Sequence, residues 1–143
     1  MLFQSVDLKA IRWGLLSLIL LIISGCALFV EDNPEKIVSQ RINERWDALI
    51  EGRLERAYAF ETPEYRELYS FMDYRNTIHG VGSWRKVEID DVDCEDDKCV
   101  ASIVIYATIE LGMGFEAVES DARAKEHWIQ HSASGRWYHI SDH

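Results

Sequence analysis

The chain has 143 residues, 48% hydrophobic and 28% charged, enough for one globular domain with its own core and too few for two. Its 15 Lys and Arg face 25 Asp and Glu, a formal net charge of −10, so no basic surface is available for the counterion release that binding to nucleic acid requires. Nucleic acid is therefore not expected as a partner, and acidity of this size is read as serving solubility, with a cationic partner or metal as the alternative.

The N-terminus has the three-part plan of a targeting segment. Lys9 and Arg12 give a weakly basic start, and Trp13 to Ile23 is an apolar run of the length of a signal core. Ile23-Ser24-Gly25-Cys26 follows and resembles, at every position, the lipobox of bacterial lipoproteins: a branched aliphatic residue, two small residues, then cysteine. That resemblance implies that residues 1–25 are removed, that Cys26 carries a diacylglyceryl thioether, and that residues 26–33 form a short tether to a membrane. Ala27 stands where an aspartate usually retains such proteins in the inner membrane of enteric bacteria. Its presence implies the outer membrane, facing the periplasm. The competing reading is an uncleaved span, because Trp13 to Val30 approaches the roughly 20 apolar residues a membrane needs. Ser24, Gly25 and Cys26 interrupt that stretch, and both readings export the domain. Loss of residues 1–25 takes Asp7, Lys9 and Arg12 out of the totals above, leaving 13 basic against 24 acidic residues, or −11.

Beyond the tether, the predicted elements are helices first and strands second. Asn33 caps a helix that Pro34 opens at its first position, where a missing amide costs nothing. Ile37, Val38, Ile42, Trp46, Leu49 and Ile50 recur mostly at three- and four-residue spacing, and Gly52 ends the helix. A short second helix is expected over Leu54 to Phe60. Thr62-Pro63-Glu64 repeats the cap-then-proline signature and opens a third helical stretch through Tyr65, Leu68, Tyr69, Phe71, Met72, Tyr74 and Ile78 towards Gly80.

After Gly82 the period changes to two. Trp84 to Val92 reads as a strand, and from Cys99 the odd positions through Leu111 form an unbroken apolar face. Between these runs lies Cys94-Glu95-Asp96-Asp97-Lys98-Cys99. With Cys26 lipidated, the remaining pair reads as a disulfide clipping a hairpin end in an oxidising compartment. A loop this short constrains the unfolded chain by about 2 kcal/mol. A redox pair would prefer two intervening residues, and a zinc site would need two further ligands. Gly112 to Ser120 interrupts the pairing, either as an ordinary loop with Phe115 tucked onto the core, the preferred reading, or as a lid or docking tip. Two more strands, about Asp121 to His131 and Arg136 to Ile140, flank the turn Ser132-Ala133-Ser134-Gly135. Helices followed by antiparallel strands indicate an α+β domain with helices on one face of the sheet.

The segments Arg45-Trp46-Asp47-Ala48-Leu49-Ile50-Glu51-Gly52, Ala57-Tyr58-Ala59-Phe60 and Thr62-Pro63-Glu64-Tyr65-Arg66 resemble the N-terminal helices of NTF2-like (cystatin-like α/β roll) proteins. Glu126-His127-Trp128-Ile129 with Gly135-Arg136-Trp137-Tyr138 is similar to the closing hairpin of small NTF2-like lipoproteins. The resemblance covers residues 34–143 and rests on packing motifs. It implies a cone in which a strongly curved antiparallel sheet and the helices enclose a pocket, and it implies no activity.

An even-length hairpin loop brings Trp137 and His139 to the face that holds Glu126 and Trp128. With Trp46, Tyr58 and Tyr74 from the helices, these residues are the candidate pocket. Two readings follow. Glu126 and His139 form a carboxylate and imidazole pair for an isomerase, dehydratase or hydrolase, or Glu126 pairs with a helix arginine, Arg41 or Arg45, and His139 is a satisfied core or rim residue. The second is preferred, because one slip of register separates the pair. His127 and His131 lie on the opposite strand face from His139, so zinc is not expected. No phosphate loop, nucleophile elbow, His-Glu-x-x-His or haem motif is present, and no cofactor is expected. The expected function is thus a non-enzymatic, lipid-anchored envelope domain binding a small apolar ligand or a protein partner. The alternatives are the pocket enzyme and a purely structural envelope lipoprotein whose cone is filled by side chains.

Overall fold

Asn33 accepts a hydrogen bond from the Lys36 amide through its side chain, and Pro34 begins helix α1, Pro34–Ile50. The computed structural model describes residues 33–112 and 116–141. The signal segment, Cys26, nearly all of the tether, Phe115 and His143 lie outside the described residues. Helix α1 buries Val38, Ile42, Trp46 and Leu49 of the expected stripe, leaves Ile37 and Ile50 half-buried, and buries Arg45 and Ala48 in addition. The chain leaves it through Gly52, which sits at φ +70°, a conformation that costs a residue with a Cβ. Helix α2 is Leu54–Tyr58, two residues shorter than the sequence suggests.

The single third helix expected after Thr62 is in fact two, α3 at Pro63–Leu68 and α4 at Phe71–Thr77. The break lies at Tyr69, whose backbone is extended, and Ser70 then starts a new helix through a capping box. Its hydroxyl accepts from the Asp73 amide, while the Asp73 carboxylate accepts from the Ser70 amide at 2.9 Å and the Ser70 hydroxyl at 2.6 Å. Satisfying two otherwise orphaned amides outweighs running one helix through the junction.

Four strands follow, β1 Trp84–Glu95, β2 Lys98–Ile109, β3 Val118–Gln130 and β4 Trp137–Ile140. They form one antiparallel sheet in the order β1-β2-β3-β4, which does not close on itself. The domain is α+β, with α1 packed on the sheet. At the β1–β2 turn Cys94 and Cys99 are direct cross-strand partners and are joined by a disulfide. Asp96 turns the chain at φ +54°, in the left-handed region that aspartate tolerates better than most residues.

The predicted apolar face of β2 is real but only half covered. Cys99, Ala101 and Ile103 are buried, Ile105 and Ala107 half-buried, and the strand ends at Ile109. Ile109 and Leu111 are 46% and 56% exposed, as is Val118 at 47% across the sheet. The helical layer ends before the far half of the hairpin, so period-two patterning marks a face without telling how much of it is roofed.

The strand β4 is too short to hold itself by sheet pairing alone. Its second anchor is a parallel bridge between Glu61 and His139, in which the His139 amide donates to the Phe60 carbonyl at 2.8 Å. This brings the residues after α2 against the closing strand, and with them a second carboxylate.

Candidate functional site

The site grows from adjacent residues of α1. Arg45 occupies the buried stripe three residues after Ile42, and Trp46 follows it. Both reach the same oxygen of Glu126 on β3: Arg45 Nη1 donates to Oε1 at 2.9 Å and Trp46 Nε1 at 2.8 Å. The other oxygen, Oε2, accepts from Trp128 Nε1 at 3.1 Å. Glu126 and Trp128 are two apart on β3 and therefore on one face, which is how a strand residue and its neighbour reach the same helix. Glu126 is 6% exposed and Arg45 5%. An ionised carboxylate withdrawn from water to this degree needs charge and donors, and it has one guanidinium and two indoles.

Arg45 serves a second acid. Its Nη2 lies 3.6 Å from Glu61 Oε1, and Glu61 is fully buried. His139 Nδ1 stands 3.0 and 3.2 Å from the two Glu61 oxygens, and the Ser141 hydroxyl donates to Oε2 at 2.9 Å. Burial pushes the Glu61 carboxyl up, but the hydrogen bond and charge of His139, the charge of Arg45 and the Ser141 hydroxyl outweigh it, so its pKa lies below the usual 4.5. Tyr74, buried beside these groups, has its phenol pushed up to about 12 by burial, with Arg45 pulling the other way. It stays protonated at any physiological pH.

These groups border a cleft of about 360 Å³. Trp46, Leu49, Trp84 and Ile103 are among its apolar lining, and Arg45, Glu126, His139 and Ser141 at one side and Thr77, His79 and Lys125 elsewhere contribute polar groups. Trp46 and Trp84 meet edge to face with ring centres 5.3 Å apart, which stiffens that wall.

Of the residues that sequence selects, Trp46, Glu126 and His139 line this cleft. Trp128 stands opposite His139 in the β3–β4 register, but it is wholly buried under Phe60 and His139. Trp137 faces a different concavity. Tyr74 lies in the core, and Tyr58 stacks on it and on Phe71 while donating to the Tyr69 carbonyl at 2.6 Å. The even-length hairpin brings Glu126 and His139 to one face, yet the imidazole takes Glu61 as its partner. Glu126 pairs with Arg45, and Arg41 points elsewhere. His127 is exposed, and His131 faces Glu64 at 3.3 Å on the side away from the cleft.

Glu61 is the residue that sequence reading misses. It follows the apolar run Ala57-Tyr58-Ala59-Phe60 in a connection, where an acid reads as solvated, and its hydrogen-bond partners His139 and Ser141 are 78 and 80 residues away. Arg45 carries a clearer signal, a charged residue at a core position of the helical repeat. Chemically, a histidine oriented by a buried carboxylate, with Nε2 unbonded among the described residues, can accept a proton from a group in the cleft. Glu126, with all its strong contacts to donors, is better suited to holding the fold.

No protein-family model matches the chain, and no curated protein matches it.

Replacing Glu126 with Gln keeps the shape and removes the charge that Arg45 and two indoles address. The variant should lose roughly 3 to 5 kcal/mol of stability at pH 7, the cost of breaking a buried ion pair from one side. Urea unfolding measures it, and a variant as stable as the parent would mean that Glu126 is solvated.

Glu61 gives a pH-dependent counterpart. Its folded pKa is depressed, so its contribution is fully present above the usual 4.5 and fades as pH falls through the lowered folded value. The stability deficit of Glu61→Gln should accordingly be present at neutral pH and close in that acid window. A deficit that widens on acidification would contradict the pairing.

Proposed function

We propose that this chain is a bacterial lipoprotein anchored through Cys26 after removal of residues 1–25, and that its folded domain binds a small apolar ligand or a protein partner at the periplasmic face of the outer membrane. In this reading the domain is an NTF2-like cone, with the helices and a curved sheet enclosing the cleft. The lipobox residues support the anchor. The Cys94–Cys99 disulfide supports an oxidising compartment, because such bridges persist where thiols are not kept reduced.

One observation carries the binding reading: the cleft has an apolar wall of Trp46, Leu49, Trp84 and Ile103, and the carboxylate bordering it is already neutralised by Arg45. A pocket so arranged offers contact area to an apolar molecule and does not require the ligand to bring a charge. The pocket-enzyme alternative draws on a different pair, His139 held by Glu61, and it is favoured by the unbonded Nε2 alone.

The cleft is tested with protein lacking residues 1–26 and the neutral fluorophore N-phenyl-1-naphthylamine. Saturable one-to-one binding is expected, and Ala124→Trp, which fills the cleft from β3, should abolish it while circular dichroism stays that of the parent. Absence of binding to the parent, or full binding to a folded Ala124→Trp variant, would overturn the reading.

The anchor is tested in a bacterial host. The Cys26→Ala precursor should remain uncleaved and take up no labelled fatty acid, since the thioether has no other acceptor at that position. Labelling of that variant would remove the basis for the lipoprotein assignment.

A further inference from the structure

A wider concavity, about 630 Å³, lies away from the cleft, between the first turns of α1, the β1–β2 turn and the β3–β4 hairpin. Ile37 and Trp137 give it apolar walls. Arg41 from α1 and Arg136 from the hairpin give it charge, with Asp96 also lining it.

Arg41 is the unusual member. It is half-buried, and among the described residues its guanidinium has neither an ion pair nor a hydrogen bond; its Nε is buried without a partner. The Phe60 ring covers one of its faces at 4.6 Å, and Tyr138 lies 5.9 Å away. Stacking of this kind satisfies the face of the guanidinium and leaves its in-plane N–H donors unanswered. Burial lowers the Arg41 pKa, and Arg136 adds to that effect, whereas Glu44 and Tyr138 oppose it. Arg45, the more deeply buried of the two α1 arginines, also has an unpartnered Nε but two carboxylates on its terminal nitrogens. In a chain of net charge −10, where acidic partners are abundant, a half-buried arginine facing a concavity with a second unpaired arginine is a cost that an incoming anion would offset.

We propose that Arg41 and Arg136 form a binding site for a phosphodiester. Two guanidinium forks present more in-plane donors than one carboxylate accepts, whereas a tetrahedral phosphate offers oxygens to both. Asp96 in the lining and Glu44 near Arg41 limit the local positive charge, which suits a singly charged diester rather than a dianionic monoester or a polyanion. Ile37 and Trp137 suit an organic substituent on the phosphate. The ligand is therefore a soluble phosphodiester or the headgroup of a phospholipid, two sources of one chemistry. The site does not depend on the cleft or on the anchor.

The test uses the full chain in uncharged, phosphate-free maltoside micelles, with the Arg41 Nε–H and Trp137 indole resonances followed by NMR. Titration with glycerophosphoglycerol, and separately with phosphatidylglycerol added to the micelles, should shift both resonances saturably. Arg136→Glu should weaken that binding by about tenfold or more, because it removes one charge-assisted contact and adds repulsion. Arg136 is exposed and its side chain makes no hydrogen bond or ion pair among the described residues, so the variant should fold; Arg41→Lys, which keeps the charge and loses the fork, should also bind more weakly. Arg123→Glu, on the far face of β3, serves as the control and should leave binding unchanged. Similar affinities for the two titrants assign a soluble ester, and binding that is much tighter for the lipid, or seen with it alone, assigns a headgroup. No saturable shift with either titrant, or equal weakening by Arg123→Glu, would overturn the proposal.

Discussion

Arg45 neutralises two carboxylates that the fold withdraws from water, Glu126 on β3 and Glu61 ahead of α3. Through that one guanidinium the first helix, the connection after α2 and the third strand share a charge balance, and His139 extends it to β4. Each element is marginal by itself. Helix α2 has five residues, and β4 has four. Helices this short are not stable alone, and a four-residue edge strand offers few hydrogen bonds. Their positions are set because an unpaired acid at 0% or 6% exposure would be costly, so the arrangement that satisfies both acids is strongly preferred over any that satisfies one.

The same network shapes the cleft. A carboxylate on a strand face normally demands water or a cation, and a cleft built around one would be wet. Here Arg45, Trp46 and Trp128 take up its acceptor capacity, and the apolar rings of the two donating tryptophans belong to the surrounding walls and core. The Glu126 carboxylate is thus satisfied internally, and Trp46, Ile78, Trp84 and Ile103 form an apolar wall of the cleft, while Thr77, His79 and Lys125 add polar groups to its lining. The concavity of Arg41 and Arg136 is its opposite, with cations left unanswered beside modest apolar walls.

The far half of the β2–β3 hairpin shows how the helical layer limits the core. Apolar residues continue along β2 to Ile109, but burial declines steadily after Ile103 because α1 packs mainly over β1 and the hairpin's near end. Nothing in alternation distinguishes Ile103 from Ile109. The difference is set by where a 17-residue helix stops, and its stop at Gly52 is a local property of another part of the chain.

Local chemistry was enough for the sequence by itself to determine the caps at Asn33 and Thr62, most of the buried stripe of α1, the change to period two after Gly82 and the Cys94–Cys99 hairpin clip, while the register that sets Trp128 opposite His139 was fixed only by the structure. Each of the former depends on residues within about a turn or a strand of one another, where spacing maps directly onto geometry. The Ser70 capping box was equally local, although the apolar period running through it hid the break between α3 and α4. Tertiary structure alone decided which arginine meets Glu126, that Glu61 rather than Glu126 holds the His139 ring, and how far the helices roof the sheet. Those outcomes join residues some 80 positions apart. Arg41 and Arg45 are one helical turn apart on α1, and only the tertiary placement of Glu61 and Glu126 gives Arg45 two carboxylate partners and Arg41 no ion pair among the described residues.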